Sequence, residues 1–342
     1  MSIVSIIDCT LRDGGYLNNW QFSDEFQKRA IESLCEANID IIECGFISET
    51  SGTDEFGTNF KSIEKINLML KEEKFNTSTS RFAVMMRIDE YNPDALPVCN
   101  RSENLVSIVR VMLYKNEIEQ SKEKLQKIID KGYELHIQPT IISYYSDEEI
   151  VQMIKSFENL NYHSISIVDT FGALNEDQIN RITMLFDKYA NKNSRLSLHC
   201  HDNLSKAYQN SITFLNSVTL HRDVYVDSSI AGLGRGGGNL PTELLITLLK
   251  NDKNMNYFVS PIKDFSFKYL NNIERNIKEE DFYAFAITAN KNMHPNYAIW
   301  LLLQKYSRQD IQKILELISP EKYETFDYKY IKDLCVLHSI NV

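Results

Sequence analysis

Eight short β-rich runs, each followed by a helical pattern or a short crossover, recur over about the first 250 residues, and this alternation constrains the fold most. The runs cover 3–7, 39–44, 82–87, 106–112, 135–138, 164–168, 196–199 and 224–226. Amphipathic patterns over 24–37, 60–73, 118–131, 147–160, 176–190, 204–216 and 240–249 read as the helices between and after them. The crossover after 82–87 holds Pro93 and Pro97, so any helix there is stunted. Eight strand-then-helix units match an α/β chain closed as a (β/α)8 TIM barrel. An open doubly wound sheet is the competing arrangement, but no Gly-x-Gly-x-x-Gly follows the first run. The polar residues of interest also fall at run ends, and only a barrel brings eight strand ends to one mouth. We therefore expect a barrel domain over 1–258. The helical, Lys-, Tyr- and Leu-rich remainder, 259–342, is expected to pack on it as a C-terminal extension.

Charge narrows the partners. Lys and Arg total 37 against 47 Asp and Glu, a net charge of −10, which disfavours nucleic acid and anionic membrane surfaces. No run approaches the ~18 apolar residues of a membrane span. The start, Met1-Ser2-Ile3-Val4, lacks a basic segment and a cleavage site, which points to a cytoplasmic protein. Six scattered cysteines with no CxxC pair read as reduced thiols, Cys9 and Cys200 as packed small residues.

Chemistry concentrates in three places. Arg12-Asp13-Gly14-Gly15 follows the first run; its glycines permit a tight turn, and its guanidinium and carboxylate suit a substrate that develops negative charge. His199 and His201 lie two apart at the end of the seventh run; side chains i and i+2 of a strand share a side, so both imidazoles and Asp13 can converge on one divalent metal ion. Asp202 and Asn203 read as caps of the next helix. Glu43 is placed to orient Arg12. Gly234, Gly236, Gly237 and Gly238 lie in a stretch with five glycines in seven residues after the eighth run, where exposed amides can bind an anion. Asn239 is either a helix cap or a neutral oxygen ligand. Arg110, Gln138, Asp169 and Thr170 are expected to bind substrate at the mouth.

Asp8 to Gly14 reads D-x-T-L-R-D-G, His199 and His201 form H-x-H, and Gly234 to Asn239 close a glycine-rich G-N motif. Together these resemble the DRE-type TIM-barrel metal-dependent lyases, the HMG-CoA lyase-like superfamily, whose Asp, Arg and Glu would be Asp13, Arg12 and Glu43. Asp169-Thr170-Phe171-Gly172-Ala173-Leu174 and His294-Pro295-Asn296-Tyr297-Ala298 look most like the 4-hydroxy-2-oxoacid aldolases of that group. The resemblance implies Mn²⁺ or Mg²⁺ on Asp13, His199 and His201, with Arg12 stabilising a pyruvate-type enolate. It implies a small-molecule α-keto acid and an aldehyde as substrates, in a homo-oligomer or a pair with an aldehyde-processing enzyme. The aldolases carry a histidine base three residues after the ligand Asp, where this chain has Tyr16; Tyr16, Tyr297 and His294 are the candidates for proton transfer. A Claisen-type acyl-CoA lyase or synthase, or a non-catalytic barrel partner, are the alternatives. The CoA lyases carry a cysteine in the glycine-rich loop that is missing here.

Overall fold

A computed structural model describes residues 3–53, 56–73, 75, 79–100, 103, 105–250, 256–273 and 281–338. In chain order the elements are β1 (Val4–Asp8), α1 (Thr10–Asp13), α2 (Asp24–Glu36), β2 (Ile41–Ile47), β3 (Asn59–Phe60), α3 (Glu64–Glu73), β4 (Arg81–Arg87), β5 (Val106–Leu113) and α4 (Ile118–Asp130). There follow β6 (Glu134–Pro139), α5 (Asp147–Ser156), β7 (Ser164–Asp169), α6 (Glu176–Tyr189), β8 (Arg195–Cys200), α7 (Ala207–Ser217), β9 (Val224–Ser228) and α8 (Thr242–Leu249). The chain then runs through α9 (Ser260–Tyr269), α10 (Tyr283–Asn290), α11 (Asn296–Leu303), α12 (Arg308–Leu317) and α13 (Tyr328–Leu337).

The strands pair in parallel in the order β1-β9-β8-β7-β6-β5-β4-β2, and β1 also pairs with β2. The sheet therefore closes on itself as a (β/α)8 TIM barrel. β3 is a two-residue addition laid beside the end of β2, at Phe46 and Ile47, and the sequence pattern did not signal it. The helix expected from 60 starts at Glu64, because Asn59 and Phe60 are spent on β3. The crossover after β4 carries only a 3₁₀ turn at Pro93–Ala95. Good caps place the helices that follow: Ser146 with Glu149 at α5, and Asn175 with Gln178 at α6, satisfy each other's free amides reciprocally.

Period-two alternation fills the barrel in layers. Ile7, Ile41, Ala83, Ile108 and Tyr225 form a small apolar cluster of their own inside it. Two residues further along their strands stand Glu43, Arg110 and Asp227, all buried, so the next layer is ionic. This corrects two expectations. Glu43 does not end its strand, since β2 runs on to Ile47 across a register shift after Glu43. Gly45 sits in that irregularity, where a Cβ would meet the Thr58 carbonyl oxygen at 2.3 Å. Arg110 likewise lies within β5, one layer beneath the mouth.

The C-terminal helices form a second hydrophobic core from Ala284 to Cys335. Ile262 and Phe265 of α9 pack into the barrel's own core. Among the described residues no helix is long and apolar enough to cross a membrane, and no disulfide joins the six cysteines, five of which are buried.

Candidate metal centre

The first strand delivers its ligand through one helical turn. β1 ends at Asp8, whose carboxylate accepts from the Thr10 amide at 2.9 Å and from the Thr242 hydroxyl at 2.7 Å. The Thr10 hydroxyl in turn accepts from the Ile230 amide at 2.7 Å, so α1 is tied to the loop after β9. Arg12 and Asp13 project from this turn and are both buried. The close approach of Trp20 demands glycine at position 15, where a Cβ would lie 2.0 Å from the indole; the indole N–H donates to the Arg12 carbonyl at 2.8 Å.

β8 supplies the imidazoles. His199 and His201 lie on one side, as the spacing predicts, with ring centroids 5.0 Å apart. Asp13, His199 and His201 each offer a ligand atom, and the three atoms lie within 4.8 Å of one another. His199 Nδ1 lies 3.0 Å from Asp227 Oδ2, and His201 Nδ1 lies 3.3 Å from the Gly238 carbonyl oxygen. Both partners only accept, so the Nδ1 atoms carry the protons and the Nε2 lone pairs are left for an ion.

Burial opposes the charge of Asp13, but the Arg12 guanidinium, with a hydrogen bond from Asn239, outweighs it and holds the carboxyl far below the usual carboxylate range. Burial, only partly offset by Asp13, lowers His201 to about 3 and keeps it neutral. Arg12 Nε donates to Glu43 Oε2 at 2.7 Å and its Nη1 pairs with Asp13. Below, Arg110 joins Glu43 Oε1 at 3.1 Å to Asp227, whose carboxyl is pushed down to about 2 as Arg110 and His199 overcome burial. A ladder of alternating charge thus runs Asp13–Arg12–Glu43–Arg110–Asp227, and its last carboxylate holds the His199 Nδ1 at 3.0 Å.

The residues present fit a divalent cation. One ionised carboxylate and two neutral imidazoles are a borderline donor set. Asn239 Nδ2 donates to Asp13 Oδ2 at 2.7 Å and to the Leu233 carbonyl at 3.0 Å, while its buried Oδ1 has no partner. Asn239 is not the helix cap, since Pro241 holds that position at α8.

The glycine-rich loop clasps the ligands. The Gly237 amide donates to Asn203 Oδ1 at 2.6 Å and the Gly238 amide to the Arg235 carbonyl at 3.2 Å. At Gly234 a Cβ would come within 2.3 Å of Asn239 Nδ2 and 2.7 Å of Asp13 Oδ2. The expected anion cradle is therefore corrected for Gly237 and Gly238, whose amides are consumed inside the protein. Gly234 and Gly236 make room instead, the latter for Asn203 Oδ1. Neither expected cap holds that position, because α7 starts at Ala207 with Lys206 as its N-cap; Asp202 accepts from the Ala207 amide at 2.8 Å, and Asn203 serves the loop and the Phe171 carbonyl.

The sequence of residues 3–267 matches the HMGL-like family model. The chain belongs to the HMGL-like family. It is 26% identical over 255 residues to a 4-hydroxy-2-oxovalerate aldolase of Geobacillus genomosp. 3, covering 72% of this chain and 70% of that protein. It is also 26% identical over 266 residues to a 2-isopropylmalate synthase of Buchnera aphidicola subsp. Rhopalosiphum padi, covering 73% of this chain and 48% of that protein. Among solved structures, the N-terminal domain of a protein described as an aldolase from Bacteroides vulgatus superposes with a TM-score of 0.72 at 22% identity, over 90% of this chain and 99% of that one. The HMG-CoA lyase from Brucella melitensis superposes with a TM-score of 0.62 at 17% identity, over 78% and 97%. These two likenesses show the shared fold.

In this HMGL-like barrel a small cavity of about 40 Å³ opens above the converging side chains, lined by Arg12, Asp13, Tyr16, Met85, Met112, Gln138, Thr140, Val168, Thr170, His199, His201 and Arg235. Gln138 is steadied by the Ser166 hydroxyl at 2.6 Å, and the Thr170 hydroxyl accepts from the Ile141 amide at 2.7 Å. Burial raises the Tyr16 phenol above its ordinary value, against the pull of Arg235, so it is protonated at neutral pH. His294 lines an adjoining cavity that shares Thr140; burial, then Arg235, lowers its pKa to about 3.

Three expected site residues stand elsewhere. Asp169 turns away to accept from the Ala173 and Leu174 amides, because the chain reverses directly after β7. Tyr297 is buried in the C-terminal core. Its hydroxyl is shared between the Lys322 and Thr325 carbonyls and accepts from the Asp327 amide. Arg110 is the middle rung of the ionic ladder. Conversely, sequence reasoning missed Arg235 and Asp227 as site residues; a cation amid glycines and an acid ending the eighth strand were the available signals.

A second acid–imidazole cluster, Glu134, His136 and His163, sits at the N-terminal end of the strands. Arg81 already doubly bonds Glu134, and the Arg195 guanidinium lies 4.8 Å from the neighbouring Tyr225 ring. That positive surround opposes a cation.

Proposed function

We propose that this chain is a divalent-metal-dependent aldolase, a carbon–carbon lyase that makes or breaks the bond between the enolate of a pyruvate-type α-keto acid and an aldehyde. The observation that carries this reading is the convergence of Asp13, His199 and His201 within 4.8 Å, beside the buried guanidinium of Arg12. The names of the curated relatives support it.

Asp13, His199 and His201, with Asn239 Oδ1, would hold Mn²⁺ or Mg²⁺. When bound, the ion supplies Lewis acidity that polarises the keto oxygen of the substrate. Arg12 keeps Nε on Glu43 and Nη1 on Asp13, which leaves Nη2 to hold the enolate oxygen as charge builds there. Glu43 and Asp13 hold that guanidinium in place before substrate arrives, so no reorganisation is needed during reaction. Tyr16 exchanges a proton with the aldol oxygen. Its phenol is the donor in the condensation direction, and the Arg235 guanidinium, 5.5 Å from its ring centroid, steadies the phenolate that must take the proton back in cleavage. Met85, Met112 and Val168 exclude water from the enolate.

The test is an assay of pyruvate release from 4-hydroxy-2-oxo acids, and of oxaloacetate decarboxylation, with Mn²⁺ added. Activity that depends on the ion and is lost in Asp13→Asn and His201→Ala, with the fold retained, supports the proposal. Activity retained by a metal-stripped variant sinks it.

A further inference from the structure

We infer that Arg235 reads an anionic group, a carboxylate or a phosphate, on the part of the substrate remote from its 2-oxo acid head. This rests on the aldolase reading of the same site and names the class of substrate that site takes.

Arg235 leaves the glycine-rich loop next to Asp13, its own amide 3.4 Å from Asp13 Oδ2. Its side chain then crosses the mouth of the barrel. The guanidinium packs over Tyr16 on the β1 side and donates through Nη2 to the Thr170 carbonyl, at 3.1 Å, on the β7 side. It is half-buried and lines the cavity that holds Arg12 and Asp13. A guanidinium offers five N–H donors, and that one carbonyl is the hydrogen-bond partner of its side chain among the described residues. No carboxylate pairs with it there.

Charge completes the argument. Arg12 is balanced by Asp13 and Glu43, and Arg110 by Glu43 and Asp227. Among the described residues, Arg235 is the cavity cation without a protein counter-ion. The carboxylate of a 2-oxo acid belongs with the ligand set and Arg12, so it does not neutralise Arg235. His294 cannot take the role, since burial and Arg235 itself keep its ring neutral. The planar fork suits a carboxylate or phosphate oxygen pair, and the protonated Tyr16 hydroxyl is a further donor beside it. The electrophile, or the tail of the aldol it forms, is thus acidic rather than a plain aliphatic aldehyde.

The experiment is calorimetric binding to Mn²⁺-loaded protein of four probes: pyruvate as the head alone, 2-oxopentanoate with an uncharged tail, 2-oxoglutarate with a carboxylate at the same distance, and phosphonopyruvate. Wild type is expected to bind 2-oxoglutarate or phosphonopyruvate at least about tenfold more tightly than 2-oxopentanoate, the scale of one charged hydrogen bond. Preference for 2-oxoglutarate places a carboxylate at that reach, and preference for phosphonopyruvate a phosphorus oxyanion closer to the head. Arg235→Ala should bring that ratio to near one, and Arg235→Lys should keep part of it. A merely structural Arg235 would weaken all probes together and leave the ratio intact. A wild-type ratio near one, or an unchanged ratio in a folded Arg235→Ala, overturns the inference. Failure of pyruvate itself to bind instead overturns the aldolase reading and removes the ground beneath this one.

Discussion

Asn239 Nδ2 donates to Asp13 Oδ2 across 2.7 Å, while its own Oδ1 is buried and unpartnered. On the proposed metal reading, one side chain would thereby orient a charged ligand and offer a neutral one. Removing it in Asn239→Ala should weaken Mn²⁺ binding about 10–100-fold, read by calorimetry, with the circular dichroism of the barrel unchanged. Wild-type affinity would show that Asn239 serves only the loop.

Gly234 should be equally intolerant for a steric reason. Its missing Cβ would fall 2.3 Å from Asn239 Nδ2 and 2.7 Å from Asp13 Oδ2. Gly234→Ala should cost about 1–3 kcal/mol of stability and also displace the ligand carboxylate. Denaturant unfolding and an Mn²⁺ titration should both register the change; a normal titration would mean that the loop relaxes freely.

Glu43 bridges Arg12 at 2.7 Å and Arg110 at 3.1 Å. Glu43→Gln strands charge in the barrel interior and should destabilise by about 3–5 kcal/mol. Combining it with Arg110→Met should cost less than the sum of the two, because the second change removes one of the stranded cations. Additive losses in urea unfolding would contradict the bridge.

Asp8 gives a pH signature. Burial raises its carboxyl from 3.8 to about 6, against the pull of Thr10 and Thr242. Between about pH 4 and 6 the unfolded chain has released a proton that the folded chain still holds. Stability should therefore fall as pH rises through that window and level off above it. The difference in unfolding free energy between wild type and Asp8→Asn should carry this slope; a flat difference would refute the shift.

Tyr297→Phe separates scaffold from site. Its hydroxyl knots Lys322, Thr325 and Asp327 together within the C-terminal core. Losing it should cost about 1–3 kcal/mol and leave turnover at wild-type level. A selective loss of turnover would return this tyrosine to the chemistry.

Much of the architecture was legible in the chain because parallel barrel strands are short apolar runs that repeat at even spacing. Asp13, His199 and His201 were legible for a local reason: strand period two and a strand-end carboxylate are both visible in sequence. Residues whose role depends on depth were not. Glu43 and Arg110 read as mouth residues, yet β2 and β5 run on past them and sink them into an ionic layer. Asp169 looked like a ligand for substrate, but hydrogen bonds to Ala173 and Leu174 depend on a reversal that apolar periodicity does not record. Arg235 was hidden among glycines because its meaning comes from Tyr16 and Thr170, distant in sequence and adjacent in space.

β1 meets β9 from Val4 opposite Val224 to Asp8 opposite Ser228. Asp13 hangs just beyond one edge of that seam and Asn239 beyond the other. A growing polypeptide on the ribosome thus carries Asp13 from the outset, but the side chain that orients its carboxylate arrives more than two hundred residues later, with Asn239. On the proposed metal reading, capture of the cation would be a late event in biogenesis, and a chain stalled before that residue would leave the ribosome with Asp13 unsupported.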